Sequence, residues 1–207
     1  SNVYLADRLD LSPVGTMGHE HLMRWESDLA GFRAMRDMRS SPPSYLLDTF
    51  DVERSGIPAA VQVIEEDPIR YSFVRFDSGD QAQQMCMMQN LCREKCIHTG
   101  YILEDGYDDG STKRMEKIRE DLGIPSHSVQ YGYGGYLVDG GEGFCRNNIQ
   151  MVYKLCKTGG TSVRKICGEK SSIPGLPISL VSDIGERLIA QEGEAWEGFH
   201  PLSSIDV

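Results

Sequence analysis

Short apolar runs alternate along the chain with stretches whose apolar residues recur every three or four positions. Ser44-Tyr-Leu-Leu-Asp48, Tyr71-Ser-Phe-Val-Arg-Phe-Asp77, Gly100-Tyr-Ile-Leu-Glu-Asp105 and Ser128-Val-Gln-Tyr-Gly132 read as buried strands. Each runs out into an acid or a glycine. Between them the period is helical. Leu22, Trp25, Leu29 and Phe32 line one face of a helix, and Ala82, Met85, Met88 and Cys92 line another. From Ser111 to Leu122 the residues Met115, Ile118 and Leu122 form an apolar stripe, and Gly123 ends it. Pro58 opens a further helix behind the Ser55-Gly56 turn. Alternating strand and helix predicts an α/β fold with parallel strands.

The polar strand ends keep a register. His19, Asp48, Asp77, Asp105 and Gly132 are separated by 29, 29, 28 and 27 residues, and a βα unit occupies about 30. All five therefore belong where a strand gives way to the next helix, the face that carries the site in parallel α/β folds. The competing explanation is serial helix capping, since Asp is a favoured cap.

Beyond Gly135 the pattern changes. Ile149-Gln-Met-Val-Tyr-Lys-Leu-Cys156 and Ser162-Val-Arg-Lys-Ile-Cys167 flank Lys157-Thr-Gly-Gly160 and predict a hairpin. Ile178–Val181 and Arg187–Ala190 add strands, and the glycine-rich run 138–143 reads as a loop. The chain thus divides into an α/β region, residues 1–147, and a β-rich extension, residues 148–207, packed on the same domain.

Charge narrows the possible partners. With 21 Lys and Arg against 31 Asp and Glu the net charge is −10, which argues against nucleic-acid binding. Hydrophobic residues at 40% and charged residues at 25% suit a globular protein. No apolar run approaches about 18 residues, so no membrane span is expected, and Ser1–Leu5 does not resemble a signal peptide. The six cysteines contain no C-x-x-C pair and suggest reduced thiols in a cytoplasmic protein rather than a disulfide scaffold. A zinc site from Cys92, Cys96 and His98 has poor spacing.

Three motifs carry chemistry. In Gly15-Thr-Met-Gly-His-Glu20, a His just past a strand is a candidate general base or nucleophile toward phosphorus; otherwise it simply starts a helix. Asp48, on the neighbouring strand end, is placed to hydrogen-bond His19 and fix its tautomer, or to cap. In Arg75-Phe-Asp-Ser-Gly-Asp80, alternation sends Arg75 and Asp77 to one side, suiting sugar hydroxyls; the alternative is a plain strand-end turn. Glu104-Asp-Gly-Tyr-Asp108 repeats the idea one unit later. Gln130-Tyr-Gly-Tyr-Gly-Gly-Tyr136 offers backbone amides for a phosphate, or a mere turn, and lacks the dinucleotide G-x-G-x-x-G spacing. Lys154, Lys165 and Lys170 are a solvated face or a local source of positive charge.

Taken in order, these segments resemble nicotinate phosphoribosyltransferase. The matching stretches are Ser1-Asn-Val-Tyr-Leu-Ala6, Pro13-Val-Gly-Thr-Met-Gly-His-Glu20, Leu47-Asp-Thr-Phe-Asp51, Ser55-Gly-Ile-Pro58, Arg75-Phe-Asp-Ser-Gly-Asp80, Tyr131-Gly-Tyr-Gly-Gly135, Val152-Tyr-Lys-Leu155 and Lys170-Ser-Ser-Ile-Pro-Gly175. The resemblance implies an irregular (β/α) barrel of type II phosphoribosyltransferases, here incomplete, working as a homodimer. It implies transfer of phosphoribose from phosphoribosyl pyrophosphate to nicotinate, coupled to ATP through a phosphohistidine, with Mg2+ accompanying the pyrophosphate. The phosphorylated His would be His19 and its carboxylate partner Asp48. Thr16, Arg75, Asp77, Ser78, Asp80, Asp105, Gly106, Gly132, Gly134 and Gly135 would bind substrate.

Two departures stand out. Gly18 replaces the usual Ala before the His, and Asp105-Gly-Tyr-Asp108 is closer to nicotinamide phosphoribosyltransferase, leaving nicotinamide as an alternative substrate. The family's N-terminal barrel strands have no counterpart in these residues, so a catalytic fragment, a complementary chain, or a non-catalytic, ribose-phosphate-binding fragment or subunit is a further expectation. A glycosidase would leave the glycine loop unexplained.

Overall fold

The computed structural model describes residues 3–11, 13–134, 153–166 and 171–202. Gly135, the run 138–143, Lys170 and the proposed strand start at Ile149 fall outside them. The chain divides into two compact units, Ser1–Met151 and Val152–Val207.

In the first unit, four short strands form one parallel sheet in chain order: β1 (Ser44–Leu46), β2 (Phe73–Phe76), β3 (Gly100–Leu103) and β4 (Val129–Tyr131). The register aligns Tyr45 with Val74, Val74 with Tyr101, and Tyr101 with Val129. Helices α4 (Ile57–Glu66), α5 (Gln81–Lys95) and α6 (Asp109–Asp121) make the three crossovers. Strand order that follows the chain is unlike a doubly wound sheet, where the order reverses at a switch point.

Each crossover forms for a local reason. Pro58 lies in the first turn of α4, where its missing N–H costs nothing. Asp80 caps α5 by accepting from the Gln83 amide at 3.0 Å. Asp108 and Ser111 form a capping box on α6. The apolar stripes then face the sheet: Ile57, Ala60, Val63 and Ile64 from α4, Met85 and Met88 from α5, Met115 from α6. β1 and β3 are buried along their whole length, as parallel strands covered on both faces must be.

Three expectations are corrected. The stripe from Leu22 to Phe32 is not one helix but two, α2 (His19–Trp25) and α3 (Asp28–Met38). Glu26 turns left-handed at φ 57°, and the Ser27 hydroxyl caps α3 by accepting from the Ala30 amide at 3.0 Å. Leu22 and Phe32 are buried, whereas Trp25 at the break is exposed. Second, His19 does not follow a strand: residues 13–18 form none, and Arg39 and Arg75 hold the Gly15 carbonyl, the Thr16 hydroxyl and the Met17 carbonyl. Third, the Gly159-Gly160 hairpin exists, but its described strands β5 (Lys157–Thr158) and β6 (Thr161–Ser162) have two residues each. A helix α1 (Val3–Arg8), not foreseen, opens the first unit.

The second unit also holds a three-stranded antiparallel sheet, β7 (Pro177–Ser182) between β8 (Arg187–Gln191) and β9 (Phe199–Pro201). Its interior is small: Val163, Leu180 and Ala190 are buried, together with Lys165.

Candidate functional site

The strand ends carry one connected polar cluster. His19 opens α2, its ring half-buried beside the ends of β1 and β2. Nε2 faces two carboxylates, Asp77 Oδ2 at 3.3 Å and Asp48 Oδ1 at 3.7 Å. Nδ1 lies 3.0 Å from the hydroxyl of Thr49. Asp77, which alternation had aimed at a sugar, is the nearer carboxylate to the ring; Asp48, at the end of the neighbouring strand β1, is buried.

Arg75 holds the cluster together. Its Nη2 donates to Asp77 Oδ1 at 3.1 Å, and its Nε pairs with Glu104 Oε2 at 3.2 Å. Its Nη1 donates to the Thr16 hydroxyl and, at 3.0 Å, to the Met17 carbonyl. These last two bonds substitute for the missing ladder and fix the approach to His19. Arg39 adds a bond from Nη1 to the Gly15 carbonyl at 3.2 Å.

Burial pushes the Asp77 carboxyl up, but the hydrogen bond with His19 and the Arg75 guanidinium outweigh it and hold the pKa at about 2. Asp77 is therefore a fixed anion. Behind the site, burial raises Asp28 to about 6, against a 2.6 Å bond from the Ser55 hydroxyl, with Asp48 and Asp51 adding repulsion. Asp51 itself is committed to the turn 52–56, accepting from the amides of Glu53 and Arg54 at 3.0 and 2.8 Å.

The other candidate residues lie on the same face with different neighbours. Ser78 is buried; its hydroxyl donates to Asp48 Oδ2, while its carbonyl accepts from the Gln84 amide group at 3.1 Å. Asp80 caps α5. Asp105 and Gly106 form a turn after β3 with φ 81° and 75°, a left-handed geometry that Asp and Gly adopt more readily than other residues. Gly132 leaves room for Glu104: a Cβ there would meet Glu104 Cγ at 2.5 Å. The glycine thereby permits the carboxylate to reach Arg75. A Cβ at Gly134 would meet nothing within 4 Å.

A depression of about 340 Å³ adjoins this face between the loops after β2 and β3. Ser78, Asp80, Asp105 and Tyr107 line it, with Arg114 from α6. Gln81 braces its floor, donating to the Glu104 carbonyl at 2.6 Å and accepting from Tyr107 at 2.9 Å. Sequence reasoning missed Thr49, Glu104 and Arg114 as individual contributors. Thr49 stood next to a chosen acid, but Arg114 gave no signal beyond its place one turn into α6.

His19, Asp48 and Asp77 present three ligand atoms within 4.8 Å of one another. They do not fit Mg2+, which demands six oxygens at octahedral positions and keeps its waters. Here an imidazole edge occupies the space between the carboxylates, and Asp77 already neutralises Arg75. The cysteine alternative fails on geometry too: among the described residues Cys92, Cys96 and His98 form no such group. Cys86, Cys92, Cys96 and Cys156 are free thiols.

No family model matches the sequence. A nicotinate phosphoribosyltransferase of Bacillus subtilis (strain 168) is 32% identical over 84 residues, 40% of this chain and 17% of that protein. Two crystal structures share the fold. A nicotinate phosphoribosyltransferase from Vibrio cholerae matches with a TM-score of 0.60 at 21% identity, covering 83% of this chain and 43% of its own. One from Porphyromonas gingivalis matches with a TM-score of 0.54 at 20% identity, covering 70% and 38%. The chain thus spans about two fifths of the solved structures it matches. No helix among the described residues is long and apolar enough to cross a membrane. The chain is a partial-length relative of nicotinate phosphoribosyltransferase.

Proposed function

We propose that this chain carries the catalytic face of a nicotinate phosphoribosyltransferase, built on part of an irregular type II barrel. The observation that supports it best is the imidazole of His19 held between two carboxylates and a buried hydroxyl at the strand ends. Nicotinate and phosphoribosyl pyrophosphate would give nicotinate mononucleotide and pyrophosphate.

His19 is the phosphoryl acceptor from ATP, and Asp48 and Asp77 balance positive charge on its ring. Departure of pyrophosphate leaves positive charge at the anomeric carbon, which fixed carboxylates at the strand ends stabilise. Asp77 is suited to that, since it stays ionised at every physiological pH. Asp105 and Gly106 border the adjoining depression and offer the ribose a polar wall; Thr16, through Arg75, sets the entry loop. Gly132, Gly134 and Gly135 belong to the phosphate end. The polyphosphate substrates would bring Mg2+ with them as their counter-ion.

The test is formation of nicotinate mononucleotide from nicotinate and phosphoribosyl pyrophosphate, with and without ATP. ATP-coupled turnover that a His19→Ala change abolishes supports the reading. A His19→Ala variant that retains it removes His19 from the mechanism. Preference for nicotinamide in direct competition supports the alternative that Asp105-Gly-Tyr-Asp108 suggests. Binding of phosphoribosyl pyrophosphate without turnover supports a ribose-phosphate-binding subunit.

A further inference from the structure

The Thr49 hydroxyl is fully buried at the end of β1, and among the described residues its recorded hydrogen bond is to His19 Nδ1 at 3.0 Å. The opposite nitrogen faces Asp77 and Asp48, which accept only. Two anions at Nε2 hold the ring proton there. That leaves Nδ1 as the lone-pair nitrogen, and Thr49 has the proton to meet it.

The alternative protonation states serve Thr49 badly. If Nδ1 carried a proton, it would donate to Thr49, and the threonine's own proton would have no acceptor in a dry site, an arrangement folded proteins avoid. Burial of Thr49 therefore biases His19 toward one tautomer, with hydrogen on Nε2 and the lone pair on Nδ1. The β-branched side chain, stiff at χ1, also limits swinging of the ring.

We propose that Thr49 is a positioning residue that holds His19 in the Nε2–H tautomer and keeps its Nδ1 lone pair directed and available. This rests on the reading of His19 as the reactive group only for its consequence in turnover; the tautomer itself is a property of the folded chain.

The experiment is nitrogen-15 NMR of the histidine-labelled full chain near neutral pH, with His19 assigned by the His19→Ala variant. An unprotonated Nδ1 and a protonated Nε2 are expected. In Thr49→Val, which keeps the shape and removes the hydroxyl, the two nitrogen signals should move toward each other as the tautomer loses definition; Thr49→Ser should restore them. Where turnover is present, Thr49→Val should lower kcat about tenfold with KM little changed, and Ser should rescue it. A protonated Nδ1 in the unaltered chain overturns the proposal, as does a Thr49→Val spectrum identical to the parent's. If Thr49→Val does not fold by circular dichroism, the parent spectrum and the Ser variant still decide. Absence of nicotinate mononucleotide formation counts against the functional reading and leaves the NMR result standing.

Discussion

The two ends of the four-stranded sheet differ in kind. At the carboxyl ends, His19, Asp48, Asp77, Arg75 and Glu104 touch one another in a single chain of contacts beside a depression of about 340 Å³. At the amino ends lies a larger cavity, about 680 Å³, walled by Tyr71, Cys92, Ile97 and Tyr101, with His98 and His127 at its margin. Three of its polar side chains bond within the fold: Thr99 donates to the Ser72 carbonyl at 2.9 Å, Tyr101 to Gln89 at 2.6 Å, and Arg93 to the Leu122 carbonyl. The larger space has no convergent charge. Connectivity among titratable groups, rather than volume, singles out the carboxyl ends as the candidate site.

The sharpest way to break that contrast is to remove its central cation. Arg75→Met should destabilise the first unit by about 3 kcal/mol, because Glu104 would lose its ion pair with Arg75, Asp77 would keep only His19, and the approach to His19 would lose its bonds to Thr16 and Met17; urea unfolding measures it. A change confined to activity, with stability intact, would show the ion pairs to be structurally idle.

The next effect has the opposite sign. Asp28 has a folded pKa of about 6, above its ordinary value. The folded state therefore holds the proton more tightly, and stability falls as pH rises from about 4 through 6, by at most about 3 kcal/mol. Asp28→Asn should raise the melting temperature clearly near pH 8 and much less near pH 5. Equal gains at both values would mean that Asp28 is not charged against its environment.

Asp77 has the ordinary sign for a carboxylate. Its pKa of about 2 lies below the unfolded value. Its contribution, roughly 2 kcal/mol, is present above about pH 4 and lost as pH falls toward 2. Asp77→Asn should therefore be less stable than the parent at neutral pH and equal to it near pH 2, by thermal unfolding. At the other end of the sheet the expected effects are smallest. His98→Ala and His127→Ala should each change stability by less than about 0.5 kcal/mol, since both are exposed. A larger loss would show that these side chains hold structure at the amino ends and would weaken the contrast.

Much of this was legible in the chain. The four strands, their order of appearance and the helices α4, α5 and α6 follow from apolar period and caps such as Pro58, Asp80 and Asp108. The α2–α3 break was written in Ser27-Asp28, a capping pair, but the three-and-four stepping of Leu22 to Phe32 masked it because both halves bury one face. The irregular approach to His19 was not legible, since its stability comes from Arg75, some 58 residues away.

The sequence by itself determined that Asp48, Asp77 and Asp105 share one face, because parallel βα units of nearly constant length return each strand end to the same side; His19 joins them from an irregular segment that no strand precedes. Only the tertiary structure decided which of them meet. Asp77 rather than Asp48 approaches Nε2 most closely, Ser78 turns inward to Asp48, Glu104 crosses the space left by Gly132, and Thr49 meets Nδ1. Period places a residue on a face to within a turn. A hydrogen bond is decided by fractions of an ångström, and those depend on how adjacent strands pair and on the volume of every side chain between them.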